Sequence, residues 1–215
     1  MEHYTVDNLK NIKNEVELKK STAKIIAVSK TFSLDKILPL VEYGHLDFGE
    51  NKVQEAVDKW SGLVINKANI NLHMIGKLQS NKVKQAVKIF THIHSLDTIK
   101  LAQKISNEQS KINKNLKIFI QINIGDEGQK SGINIDDLPD FYKECVNDLN
   151  LNIIGLMCLP PANKDTSIYF EKMLKASKDI SLSHLSMGMS SDYLDALDYN
   201  ASYIRIGSKI FGERN

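Results

Sequence analysis

Residues 24–50 read KIIAVSKTFSLDKILPLVEYGHLDFGE, and this stretch contains one complete unit of the fold. Residues 24–30 are apolar and rich in β-branched side chains, which predicts a strand. The amphipathic stretch 34–43 predicts a helix, and residues 45–50 predict a second strand. The first run is apolar on both faces, as is typical of parallel strands covered by helices. The stretch therefore predicts a strand–helix–strand unit of an α/β protein.

The same alternation continues along the rest of the chain. Further apolar runs predict strands at 72–76, 91–96, 116–124, 152–159, 184–189 and 202–207. Polar, amphipathic stretches predict helices at 51–59, 80–88, 97–110, 136–148, 165–179 and 190–199. Eight such units predict a single-domain (β/α)8 TIM-type barrel over residues 1–215. A doubly wound sheet is the alternative, although no GxGxxG fingerprint follows any of the strands.

The sequence also predicts an additional helix at the N-terminus and the N-caps of three later helices. An extra N-terminal helix is predicted by an apolar stripe, which consists of Val6, Leu9, Ile12 and Val16. The predicted N-caps of three later helices are Asp97, Asp136 and Ser190, because each precedes the start of apolar periodicity. A last helical turn is expected after the eighth strand.

Composition excludes several classes of protein. The 215 residues carry a net charge of +2, and the lysines are spread along the whole length, which argues against a nucleic-acid surface. Cys145 and Cys158 lie far from any metal-binding spacing and are expected to be reduced thiols. The N-terminus does not resemble a signal peptide, and the longest apolar runs, about six residues, are too short to cross a membrane. We expect a cytoplasmic protein that binds neither membranes nor nucleic acids.

The site of a barrel enzyme lies at the C-terminal ends of its strands. Strand one ends in Lys30, and strands seven and eight end in the Gly- and Ser-rich stretches SMGMSS (186–191) and RIGSK (205–209). Alternation places Lys30 on the same strand face as Ile26, and Arg205 on the same face as Gly207. Strands one and eight are neighbours in a closed barrel. The sequence therefore predicts that a lysine, an arginine and a phosphate-binding loop converge there.

Each of these residues also has a purely structural interpretation. A lysine at a strand end is often solvated, and Arg205 has Asp192 and Glu213 as candidate ion-pair partners. The glycines at 188 and 207 serve turns in this interpretation. His92 and His94, two residues apart, are candidates for a metal site, but no third ligand follows at a recognisable spacing, which favours ordinary packing or hydrogen bonding.

Seven motifs resemble the pyridoxal-phosphate homeostasis protein family, relatives of the barrel domain of bacterial alanine racemase. They are AVSKT (27–31), FGENKVQE (48–55), HMIGKLQSNKVK (73–84), INIGDEGQKSGI (122–133), GLMCLPP (155–161), LSMGMSSD (185–192) and IRIGSKIFGER (204–214). The resemblance implies a barrel of the fold-type-III kind that carries pyridoxal 5′-phosphate (PLP, a form of vitamin B6). The sequence departs from the family pattern at Phe32, Leu34 and Asn200. Glycine is usual near position 200, where the chain makes a left-handed turn, and asparagine also tolerates that conformation.

The resemblance also implies the cofactor contacts. The eight residues that match are Lys30, Asn51, Met74, Ser186, Gly188, Arg205, Gly207 and Ser208. Lys30 resembles the lysine that holds PLP covalently as a Schiff base, and Arg205 the residue that faces the pyridine nitrogen. The phosphate-binding residues are Ser186, Gly188, Gly207 and Ser208, while Asn51 and Met74 line the ring. His73 and Gln79 lie in a matching motif without an assigned contact.

Three functions follow as hypotheses. The first is a PLP carrier with little or no catalysis, whose partners include apo-PLP enzymes and free amino acids. Arginine at the ring nitrogen only donates hydrogen bonds, so carbanion stabilisation should be weak. The second is an amino-acid racemase, although racemases on this barrel take a tyrosine from a separate β-domain across a dimer. Only eight residues follow Gly207, so we do not expect that domain. We expect a monomer. The third is a phosphosugar aldolase with a Lys30 Schiff base.

Overall fold

Among the residues that the structure describes, eight parallel strands close into a barrel in their order along the chain. The structure is a computed structural model and describes residues 3–66, 69–126, 128, 131–161 and 165–213. The strands are β1 (Lys24–Val28), β2 (Asp47–Glu50), β3 (Asn71–Met74), β4 (His92–Leu96), β5 (Lys117–Ile122), β6 (Ile153–Cys158), β7 (His184–Met189) and β8 (Tyr203–Ile206). The predicted (β/α)8 barrel with an extra N-terminal helix is confirmed.

The helices surround this barrel. Their bounds are α1 (Tyr4–Leu18), α2 (Leu34–Glu42), α3 (Val53–Asn66), α4 (Val83–Ile89), α5 (Ile99–Ser110), α6 (Leu138–Lys143), α7 (Ser167–Asp179), α8 (Tyr193–Asp198) and α9 (Ser208–Phe211). Short 3-10 turns precede α4 and α6, and a π-helical turn, Glu144–Asp148, continues α6. Within the described residues, no helix combines the length and the apolar character that a membrane crossing requires.

The barrel closes between its first and last strands. β1 pairs in parallel with β8, so that Lys24 lies beside Tyr203 and Ile26 beside Arg205. Parallel strands are buried on both faces, which explains why most strand positions read as apolar. The closure brings the chain segment after β1 next to the segment after β8. These are the two segments that contain Lys30 and Gly207.

Side chains alternate between two cores along each strand. The barrel interior contains a small apolar cluster of Ile26, Phe119, Met157 and Tyr203. The opposite strand faces pack against the helices and form the main hydrophobic core. Each large side chain that leaves water in this layer contributes about 1.5–3 kcal/mol, so the outer layer supplies most of the stabilisation. The same interior also contains the buried polar side chains of His73, His94, Ser186 and Arg205.

The N-terminal helix uses the predicted stripe. Val6, Leu9, Ile12 and Val16 are all buried against the main core. α1 also reaches the C-terminal end of the fold, because the Asn8 amide donates to the backbone carbonyl of Ile210 in α9, at 3.0 Å. α1 therefore supports the segment that follows β8.

The three predicted helix N-caps were wrong. α5 is capped by Thr98, whose hydroxyl accepts a backbone hydrogen bond at 3.3 Å, and not by Asp97. Asp136 lies inside the 3-10 turn before α6. Ser190 precedes α8 by three residues, and its hydroxyl instead accepts the backbone N–H of Gly207 at 3.3 Å. Sequence patterns predict that a helix exists more reliably than they locate its first residue.

Candidate functional site

A cavity of about 850 Å³ opens at the C-terminal ends of the strands. Its lining includes five of the predicted site residues: Lys30, Asn51, Arg205, Gly207 and Ser208. They come from the segments after β1, β2 and β8 and from β8 itself. The volume lies within the range of roughly 300–1,000 Å³ that is typical of small-molecule sites. The structure thus brings the lysine, the arginine and the Gly–Ser turn to one cavity.

The other three predicted site residues lie outside this lining. Met74 is buried in the core between strands and helices, because the preceding residue, His73, faces the barrel interior. Ser186 is buried inside the barrel, below Arg205. Gly188 has a φ of +89°, and a Cβ atom there would lie 2.7 Å from the Cβ of Ala196 in α8. Its lack of a side chain permits the close approach of α8 to β7.

Arg205 is buried and held from below. Nη1 donates to the hydroxyl of Ser186 at 2.7 Å, and Nη2 donates to the backbone carbonyl of Cys158 at 2.8 Å. Burial lowers the pKa of the guanidinium, but arginine stays protonated in proteins. Asp192 stabilises its charge electrostatically, while the hydrogen bonds go to the hydroxyl and the carbonyl. Arg205 is therefore a fixed cation at the base of the cavity.

Lys30 is half-buried and follows β1 by two residues, so the predicted strand 24–30 ends earlier than expected. The backbone on both sides of Lys30 is fixed. Ser29 N–H donates to the carbonyl of Gly49 at 3.0 Å, and the Ser29 carbonyl accepts the N–H of Phe32 at 3.2 Å. Thr31 adopts a φ of +68°, a conformation that costs a β-branched residue energy and requires support from its surroundings.

That support comes from a buried polar cluster, here called the clamp, formed by Glu50, Glu55, Lys59 and Trp60. Glu50 is fully buried, and its Oε1 accepts hydrogen bonds from the Ser29 hydroxyl (2.7 Å), Lys59 Nζ (3.0 Å) and Trp60 Nε1 (2.9 Å). Its Oε2 has no partner in the described part of the chain. This carboxylate therefore ties β1 to β2 and α3 immediately before Lys30.

Lys59 completes the clamp on the other side of Lys30. Its Nζ donates to the Ser29 carbonyl at 2.9 Å and to Glu55 Oε1 at 3.0 Å. Glu55 Oε1 in turn accepts the backbone N–H of Thr31. The residues before and after Lys30 are thus both bonded to the clamp. The clamp positions the backbone around the lysine. The motif FGENKVQE contains two of its residues, Glu50 and Glu55, but the sequence pattern does not predict their hydrogen bonds.

The two glycines of the predicted phosphate-binding set should respond differently to alanine. Gly188→Ala forces a Cβ against α8 at a positive φ, so we expect the free energy of unfolding to fall by about 1–3 kcal/mol. Gly207 has a φ of −112°, and a Cβ there would meet Val28 only at an ordinary 3.6 Å. We expect Gly207→Ala to change stability by less than about 1 kcal/mol. Equilibrium unfolding in urea measures both, and equal losses would contradict this assignment.

The closed barrel and the cavity at its strand ends define a (β/α)8-barrel protein with a candidate small-molecule site. A family model described as the N-terminal domain of alanine racemase matches residues 5–215. The pyridoxal phosphate homeostasis protein of Pasteurella multocida (strain Pm70) is 34% identical over 218 aligned positions, which cover 97% of this chain and 94% of that protein. The chain belongs to the pyridoxal phosphate homeostasis protein family.

Solved structures agree with this assignment. PipY of Synechococcus elongatus PCC7942, described with PLP bound, superposes with a TM-score of 0.88 at 28% identity and covers 97% of this chain and 100% of its own. Alanine racemase of Clostridium difficile 630 superposes with a TM-score of 0.76 at 16% identity, over 98% of this chain and 57% of its own. The second likeness shows the barrel fold alone.

Proposed function

We propose that this protein binds PLP as a Schiff base on Lys30 and serves in PLP homeostasis as a cofactor carrier with little or no catalysis. One observation carries the proposal: Lys30, Arg205 and the turn at Gly207–Ser208 line the same cavity. The names of the relatives and the PLP bound to PipY support it. Release of the cofactor to apo-enzymes or to free amino acids is part of the proposal.

The chemistry of the lining fits the three recognisable parts of PLP. An aldehyde needs an amine, which Lys30 offers. A ring nitrogen that accepts a hydrogen bond needs a donor, and Arg205 only donates. A phosphate needs several N–H and O–H donors, and the hydroxyls of Ser208 and Ser190 offer two at the same rim of the cavity. We assign these residues to hold the cofactor, and Asn51 to its flank.

The residues present favour holding the cofactor over chemistry on it. PLP supplies an aldehyde that forms reversible covalent bonds with amines and, when its ring nitrogen is protonated, an electron sink. Arg205 is a permanent cation and has no proton to give, so it stabilises the unprotonated ring nitrogen. Its two hydrogen bonds from below fix that role. Lys30, positioned by the clamp, provides the exchangeable amine.

An exchange experiment separates the carrier from the racemase. PLP-loaded protein is incubated with L-alanine in D₂O, and both the loss of cofactor from the protein and deuterium at Cα are followed by mass spectrometry and NMR. We expect cofactor to leave with the amino acid while Cα exchange stays near that of free PLP. Rapid deuterium incorporation that depends on Lys30 would overturn the carrier proposal and support a racemase-like enzyme.

A further inference from the structure

A chain of hydrogen bonds crosses the barrel interior and ends at Arg205. It consists of Asp47 (β2), His73 (β3), His94 (β4), Ser186 (β7) and Arg205 (β8), and we call it the interior chain. From Asp47 Oδ1 to His73 Nε2 the distance is 3.0 Å, and from His73 Nδ1 to His94 Nε2 it is 2.9 Å. His94 Nδ1 lies 2.8 Å from Ser186 Oγ, which lies 2.7 Å from Arg205 Nη1.

When both imidazoles are neutral, the two ends of the interior chain fix the direction of every bond in it. Arginine can only donate, and an ionised carboxylate can only accept. Ser186 therefore accepts from Arg205 and gives its single proton to His94 Nδ1. His94 must then carry its proton on Nε2 and donate to His73 Nδ1. His73 carries its proton on Nε2 and donates to Asp47.

The same count disfavours a charged imidazole. Four bonds link the five groups, and Arg205, Ser186, His94 and His73 supply one proton to each. An additional proton on either histidine would place two donors face to face or turn the Ser186 hydroxyl proton out of the interior chain, away from the acceptors described here. Burial lowers the pKa of both His73 and His94, which agrees with neutral rings. Burial raises the pKa of Asp47, but the hydrogen bond that it accepts from His73 and the positive charge of Lys24 bring that pKa below its usual value.

The surroundings of His73 and His94 shield both rings from water, so their hydrogen bonds are made within the barrel interior. His73 and His94 are fully buried, and His94 stacks on Phe119 with ring centroids 4.3 Å apart. Asp47 is partly exposed at the opposite end of the barrel, where Lys24 also lowers its pKa. The interior chain therefore connects a carboxylate at the N-terminal end of the strands with a cation at the cavity.

We propose that Asp47, His73 and His94 are positioning residues that, through Ser186, lock the Arg205 guanidinium in the orientation that presents its remaining N–H groups to the cavity. The proposal rests on the proposed function in that Arg205 faces the cofactor's ring nitrogen. Because both imidazoles are neutral and their protons are committed, the interior offers the ring nitrogen no proton. The interior chain thereby keeps Arg205 as a hydrogen-bond donor to an unprotonated ring nitrogen, which makes the cofactor a weak electron sink.

The hydrogen-bond pattern is tested first without cofactor. In full-length protein with ¹⁵N-labelled histidine, NMR should show His73 and His94 neutral and protonated on Nε2 near neutral pH. Arg205 guanidinium protons should exchange slowly with water. In His94→Phe, which keeps the stacking on Phe119 but removes both hydrogen bonds, we expect that exchange to become about tenfold faster or more, because a hydrogen bond in the network of a charged group is lost.

Two further variants sharpen the test. His92→Phe is the matched control: His92 stacks on His73 at 4.0 Å but is not a member of the interior chain, so the Arg205 signals should stay as in the wild type. His94→Gln offers an amide oxygen to Ser186 and an N–H to His73, and should restore slow exchange. If His94→Phe does not fold, the tautomers of His73 and His94 in the wild-type protein still decide. A charged or Nδ1-protonated His94, or equal exchange in all variants, overturns the proposal.

Loading with ¹⁵N-labelled PLP then tests the connection to the cofactor. We expect the pyridine ¹⁵N signal to move in His94→Phe, with the linkage to Lys30 intact, and to remain unchanged in His92→Phe. An unmoved signal in His94→Phe overturns the role of the interior chain toward the cofactor. If the wild-type protein does not load at all, the proposed function fails, while the interior chain is judged by the cofactor-free spectra.

Discussion

Lys30→Ala is expected to abolish covalent attachment of PLP completely. The visible absorption of the Schiff base should disappear, and borohydride followed by peptide mass spectrometry should find no cofactor adduct. The physical reason is that a Schiff base needs a primary amine at the cavity, and Lys30 lines it while its flanking residues are fixed by the clamp. The phosphate-binding rim remains in this variant, so PLP should still bind, but weakly and without a covalent bond.

A second lysine provides the matched control. Lys77 lines a smaller cavity of about 290 Å³ that shares Asn51 with the main one. We expect Lys77→Ala to keep the absorption band and the adduct on Lys30. An adduct that survives in Lys30→Ala would contradict the assignment of the lysine. A wild-type protein that stays colourless with PLP but reacts with a phosphosugar would favour an aldolase.

The fold was predictable because its signal is redundant. Eight apolar runs separated by amphipathic stretches indicate a barrel even if single boundaries are wrong, and the closed order β1–β8 confirms it. Boundaries depend on individual hydrogen bonds, which explains the errors at Asp97 and Ser190. Asn200 shows the opposite case: its φ of +60° confirms the left-handed turn expected for an asparagine in place of glycine.

The site was predictable in part. Strand alternation and the rule for barrel strand ends placed Lys30 and Arg205 correctly at one cavity, whose lining they share. Residue matching alone does not say whether a side chain faces the barrel interior or the helices. It therefore did not predict that Met74 lies in the outer core. The interior chain joins residues from five strands, so its contacts depend on strand register, which the sequence did not specify.

Two buried polar networks meet at the site from different sides. The clamp fixes the backbone around Lys30, and the interior chain approaches Arg205 from below. β1 and β8 are adjacent, so Lys30 and Arg205 are held at neighbouring positions by independent sets of bonds. Buried polar groups cost free energy unless they are paired, so such networks define geometry more than they add stability. A site that must present an amine reproducibly benefits from that arrangement.

Lys59→Met is expected to destabilise the protein strongly. Methionine keeps most of the apolar stem but removes the charge beside Glu50, which is fully buried and would retain only the Ser29 hydroxyl and Trp60 as donors. Removal of one partner of a buried ion pair costs about 3–5 kcal/mol. We expect the free energy of unfolding, measured in urea, to fall by that amount. The linkage of PLP to Lys30 should also form more slowly, because the Ser29 carbonyl loses its donor and Glu55, which accepts from Thr31, loses its ion-pair partner.

A surface ion pair and a double variant determine what causes the loss of stability in Lys59→Met. Lys19 and Asp198 form an ion pair at 2.7 Å, but both side chains are exposed, so Lys19→Met should cost no more than about 1 kcal/mol. If the uncompensated charge of Glu50 causes the loss, Glu50→Gln should be less harmful in the Lys59→Met background than alone, and the double variant should recover part of the stability. A loss in Lys59→Met no larger than in Lys19→Met would mean that the ion pair is not what holds the segment around Lys30.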